Sequence, residues 1–195
     1  MPLEKDIQNK IYKYCNNDLN DNDYCDKLFD FILDEVLKDK IIKKYKAIRF
    51  SYKLFEGIAA KDELLEFEVK SQIVAYAAIY EAILTYVLKE YYHENLKSGR
   101  HDIPFYKKCK IAEFHGLIKS YKNKGNEYID IKDELQQIYN MRNQIHIYAE
   151  INNNGQYNLD MSKKAYWRME AITAQIKQQL SIDNKYNRMN DNEVQ

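Results

Sequence analysis

Residues 71–94 read SQIVAYAAIYEAILTYVLKEYYHE, and the fold turns on them. Apolar side chains fall on nearly every side of a helix drawn through this stretch, among them Ile73, Tyr76, Ile79, Ile83, Leu84 and Leu88. Such a helix has no face to offer water and belongs at the centre of a bundle. The apolar run from Ile73 to Leu88 is interrupted by Glu81 and falls short of the about 20 residues a bilayer requires. It therefore reads as a core helix, not a membrane span. Glu81 needs a partner or a cleft if buried, and otherwise lies at the exposed rim of the helix.

Composition agrees with an all-helical reading. The 195 residues include two prolines and five glycines, too few for frequent sheet turns. A hydrophobic fraction of 45% and a charged fraction of 31% are ordinary for a chain that buries a good core. Eighteen tyrosines supply aromatic packing together with hydroxyls that need partners. The formal net charge is zero, so nothing advertises a general nucleic-acid binder, and RNA contact is left to local patches. Cys15, Cys25 and Cys109 are odd in number and lack ligand spacing, as expected of reduced thiols in a cytoplasmic protein. The start, Met1 to Asp6, has no signal-peptide core.

Working outward from the central helix, residues 3–15 form a modest amphipathic helix. A second is expected from Tyr24 through Phe31 and Ile32 to Tyr45. Its lysine-rich half, 38–46, reads as a solvated face, with a phosphate-tracking surface as the alternative. Residues 47–70 are ambiguous, and the first 70 residues are expected to pack on the core as an N-terminal helical extension. Beyond a loop at 97–104, a short helix is expected with Ile111, Phe114, Ile118 and Tyr121 inward, stopping at Lys122 to Gly125. Asp130 is a plausible cap for the next helix. A small β-hairpin is expected at 147–160 around Asn154-Gly155, then a last helix capped by Ser162 with Ala165, Met169, Ile172 and Ile176 inward. Residues from 183 read as a frayed tail.

One constellation carries chemistry. In the helix after Asp130, Ile131, Leu135, Ile138, Arg142 and Ile145 share a face, so an arginine stands where a leucine would be expected. A guanidinium keeps its charge and must be paired or wet, and Glu81 is the candidate partner. His146, four residues on, lies about 40° round the same face. An Arg–carboxylate bridge with a histidine capping the helix would account for the pair structurally. RNA cleavage without a metal would also use it. The histidine titrates near neutrality for proton transfer, the arginine holds the phosphate, and the amide of Asn143 orients either. Metal-site, nucleotide-loop and serine-hydrolase motifs are absent, so no metal or cofactor is expected.

The Glu81-bearing apolar helix followed by a late helix ending Arg142-Asn143-x-x-His146 resembles the HEPN superfamily, over roughly residues 70–182. The resemblance implies a HEPN-like up-and-down helical bundle over 71–182, commonly a homodimer whose Arg…His motifs face each other. Many such proteins are metal-independent endoribonucleases among toxins, phage-defence proteins and RNA-processing factors. By position Arg142 and His146 match the motif, and Asn143 matches the polar residue that often follows the arginine. Tyr148 resembles the tyrosine of a toxin branch paired with nucleotidyltransferases. Three residues separate Arg142 from His146 here, against the usual four to six, which sets the two side by side on a regular helix. The implied function is RNA cleavage by 2′-hydroxyl attack, with a cognate regulator or antitoxin among the implied partners and no membrane. A non-catalytic interaction or nucleotide-binding module of the same fold is the alternative.

Overall fold

The computed structural model describes residues 2–17, 22–123, 125–145 and 157–185. Over these residues the chain runs α1 (Lys5–Asn17), α2 (Asn22–Leu28), α3 (Glu35–Gly57) and α4 (Asp62–Glu90). A hairpin of β1 (Lys97–Ser98) and β2 (His101–Asp102) then leads into α5 (Phe105–Phe114). A second hairpin, β3 (Tyr121–Lys122) with β4 (Tyr128–Ile129), precedes α6 (Ile131–Gln144) and α7 (Leu159–Ile182). The result is an all-α bundle built round α4, on which α3, α5, α6 and α7 all pack.

At 29 residues α4 is about 43 Å long. It is long and apolar enough to cross a membrane, but Ile73, Tyr80, Ile83, Leu84, Val87 and Leu88 are all buried against its neighbours. It begins at Asp62, so the boundary expected at residue 70 falls inside a continuous helix. Residues 47–57 continue α3, and the chain turns at Ala59, whose φ of 50° is left-handed.

The helix expected from Tyr24 to Tyr45 is broken. Phe29, Phe31 and Ile32 all enter the core, and no single helix could aim side chains at those spacings to one side. Breaking the helix exposes backbone groups, and two tyrosines satisfy them. The Tyr91 hydroxyl donates to the Phe31 carbonyl at 2.6 Å, and the Leu33 N–H donates to the Tyr86 hydroxyl at 2.9 Å. Asp34 restarts the helix by accepting from the Leu37 N–H at 3.0 Å.

The stop of α5 also differs from expectation. Gly116, at φ 71°, closes it in a Schellman turn: Leu117 N–H reaches the Ala112 carbonyl at 2.8 Å and Gly116 N–H the Glu113 carbonyl at 2.9 Å. Lys122 ends β3, and Asn123 and Gly125 lie at the turn of the second hairpin instead. Its inward face is Phe105, Lys108, Cys109 and Ala112, and Phe114 is 85% exposed. Asn158, not Ser162, caps α7 by accepting from the Met161 N–H at 3.2 Å. Ser162 is buried instead, while Ala165, Met169, Ile172 and Ile176 face the core as expected. Of the hairpin expected at 147–160, residues 147–156 lie outside the described residues, and Leu159 and Asp160 already belong to α7. The described hairpins stand at 97–102 and 121–129. The tail beyond residue 185 also lies outside the described residues.

Candidate functional site

On α6 the core stripe runs through buried Ile131, Leu135 and Ile138 and arrives at Arg142 in the last turn. There a cation complements the partial negative charge of the helix end. Helix α6 is started by Asp130, which accepts from the Asp133 N–H at 3.1 Å, and this cap sets the phase that turns Arg142 toward α4. Arg142 Nη1 donates to Glu81 Oε2 at 3.1 Å. Its guanidinium carbon stands 5.0 Å from the centre of the Tyr139 ring, which itself stacks on Phe105 at 4.4 Å.

Glu81 is shared. Its other oxygen, Oε1, accepts from Lys108 Nζ at 3.2 Å, and Lys108 also donates to the Thr85 hydroxyl at 3.0 Å. The side chain of Lys108 is 3% exposed, against 29% for Glu81 and 34% for Arg142. One carboxylate thus holds two cations from two other helices, and the three groups carry a net single positive charge. The pairing answers both anomalies of the sequence, the acid in the core helix and the arginine on a core stripe. Arg142 keeps water contact, and no second carboxylate bonds it among the described residues.

Lys108 is the residue the sequence reading missed. Its signal was present: Phe105, Lys108, Cys109 and Ala112 are spaced as one helix face, which places a lysine among apolar residues. Choosing Ile111 and Phe114 as the inward pair put that face out of phase. Cys109 beside it is buried, and burial pushes its thiol up to about 12, which makes it inert. All three cysteines are buried.

Glu81, Thr85 and Lys108 form one side of an open groove of about 810 Å³, with Leu33 and Leu37 opposite. Its charges are of mixed sign, Asp34, Glu90 and Asp102 facing Lys89 and Lys108. Asn143 is exposed and has no hydrogen bond to Arg142 or Glu81 among the described residues. His146 and Tyr148 lie outside the described residues. Of the other histidines, His93 and His101 are exposed, and half-buried His115 ends α5 with its Nε2 at 2.6 Å from Glu94 Oε1. Comparison with family models, with curated proteins and with solved structures finds no match for this chain.

Proposed function

We propose that this chain is a cytoplasmic, metal-independent endoribonuclease of HEPN type that works as a homodimer through the face bearing Arg142 and His146. One observation supports it above the rest. Arg142 is fixed by a single carboxylate and the Tyr139 ring yet remains 34% exposed, so its other guanidinium donors are available to a phosphate. In this reading Arg142 holds the scissile phosphate and Glu81 and Lys108 hold Arg142. The RNA 2′-oxygen attacks phosphorus, the new P–O2′ bond forms and the P–O5′ bond breaks. His146 takes the 2′-hydroxyl proton or returns one to the departing 5′-oxygen. Asn143 and Tyr148 are supporting residues assigned from sequence position. Toxin or phage-defence roles, and a cognate regulator, follow from the resemblance.

A second reading has the same ion pair in its favour. Arg142 bonded to Glu81 within one chain is also what a structural bridge requires, and a non-catalytic interaction module would keep it. Purified protein with single-stranded RNA in EDTA separates the two. Cleavage that falls by about 10²-fold or more in His146→Ala, with an unchanged thermal melt, supports the enzyme. RNA left intact by the wild-type chain across several substrates overturns it.

A further inference from the structure

A second constellation lies between α3, α4 and the start of α7. A cavity of about 340 Å³ opens between Arg49 and Tyr52 of α3, Tyr76 of α4, and Tyr166 and Trp167 of α7. Another of about 280 Å³ adjoins it: Tyr52, Glu56, Gln72 and Lys163 line both, and Glu68 lines the second. These volumes suit a small organic ligand.

At one end the chemistry asks for an anion. The Arg49 guanidinium carbon lies 4.0 Å over the Tyr166 ring and 5.5 Å from the centre of Tyr52. Its Nε is buried without a hydrogen-bond partner among the described residues. Such a buried donor lacks only an acceptor. Burial raises the pKa of the Tyr76 hydroxyl well above the ordinary value, and the Arg49 cation facing it is the first influence pulling it back. Lys53 is matched by Glu56 at 2.8 Å, whereas Lys163 reaches Asp160 only at 3.9 Å. Arg49 and Lys163 therefore leave this cavity positive in a chain of zero net charge.

The other end asks for donors. Glu68 is a buried carboxylate with no cation bonded to it among the described residues. Its Oε1 accepts from Gln72 Nε2 at 2.6 Å, and Gln72 Oε1 in turn accepts from the buried Ser162 hydroxyl. This relay fixes the carboxylate and leaves Oε2 without a hydrogen bond among the described residues. Between the ends stands Tyr52, which lines both cavities.

We propose that the paired cavities bind a guanine nucleotide. The phosphate lies on Arg49 and Lys163, the base lies against Tyr52, and its N1–H and N2–H donate to Glu68. Guanine alone among the common bases presents two adjacent donors to a carboxylate; adenine and uracil do not. The site uses none of the residues of the Glu81–Arg142 cluster and does not rest on the RNA-cleavage reading.

Trp167, the one tryptophan of the chain and 60% exposed at the cavity rim, supplies a native signal. The purified full chain is titrated with GMP, AMP, UMP, IMP and inorganic phosphate, following Trp167 fluorescence and the heat of binding. GMP should saturate, with AMP, UMP and phosphate at least about tenfold weaker, since each lost bond to a charged group is worth that factor. Lys163→Met, at a half-exposed position that leaves the fold intact, should weaken GMP by about tenfold. Glu68→Gln should bring GMP down to the AMP level with phosphate affinity unchanged. Should that variant fold poorly, IMP, which lacks the N2 amine, tests the same contact and should bind about tenfold more weakly than GMP. Saturation by GMP no better than by phosphate, GMP and IMP binding alike, unchanged binding in Lys163→Met, or no signal from any nucleotide overturns the proposal.

Discussion

Glu81→Gln is the most exacting perturbation of this structure. It keeps the shape of the side chain and one carbonyl acceptor, and removes the charge that Lys108 Nζ and Arg142 Nη1 share. The cost falls mainly on Lys108, whose side chain is 3% exposed and has only the Thr85 hydroxyl left. Removing one partner from a fully buried ion pair costs about 3–5 kcal/mol. Glu81 itself is 29% exposed and solvent screens part of its charge, so we expect about 2 kcal/mol. In a chain of this length that lowers the melting temperature by about 4–8 °C. Lys108→Met removes the buried ammonium and keeps the stem, a change that buried ion pairs tolerate to within about 1 kcal/mol. In that background Glu81→Gln should cost less than about 1 kcal/mol, because Arg142 is wet enough to manage alone. Thermal melts of the four proteins give the coupling directly. A melt of Glu81→Gln within about 1 °C of wild type, or an equal loss in both backgrounds, refutes the shared-carboxylate arrangement.

Two more outcomes follow from the packing. Burial works to raise the Glu134 carboxyl, but Arg168, which bonds it through Nε and Nη2, and Lys164 outweigh burial and hold it below the usual carboxylate range. Its stabilising contribution is therefore complete above the unfolded value of about 4.3 and is lost as pH falls through the lower folded value. Glu134→Gln should destabilise the α6–α7 contact by about 3 kcal/mol at pH 7 and shrink the drop in melting temperature between neutral and acid pH; equal drops would contradict this. Gly116→Ala should cost about 1–2 kcal/mol for the left-handed φ. It should lose more than Gly99→Ala, because its added methyl would meet Gln179 Oε1 at 2.9 Å while Gly99, also at positive φ, has open space. Equal denaturation midpoints for the two variants would show that the Gln179 side chain moves aside without cost.

Helices whose signals are local are legible in the sequence. The all-round apolarity of α4, the Asp130 cap of α6 and the inward stripe of α7 from Ala165 to Ile176 are each set by residues within a few turns of one another. It also exposed two charges on core faces, Glu81 and Arg142, because periodicity makes a misplaced charge visible. Where the chain stops and turns was less legible. Phe29, Phe31 and Ile32 carry helical signals that the core overrides, and Gly116, a weaker local stop signal than Lys122 to Gly125, is the residue that ends α5. Which charges meet is set by how the helices pack. Glu81 lies 27 residues from Lys108 and 61 from Arg142, and Gln72, which holds Glu68, meets Ser162 across 90 residues. Periodicity says which way each side chain points. The meeting of three faces depends on how α5, α6 and α7 are packed round α4, and no stretch of sequence carries that alone.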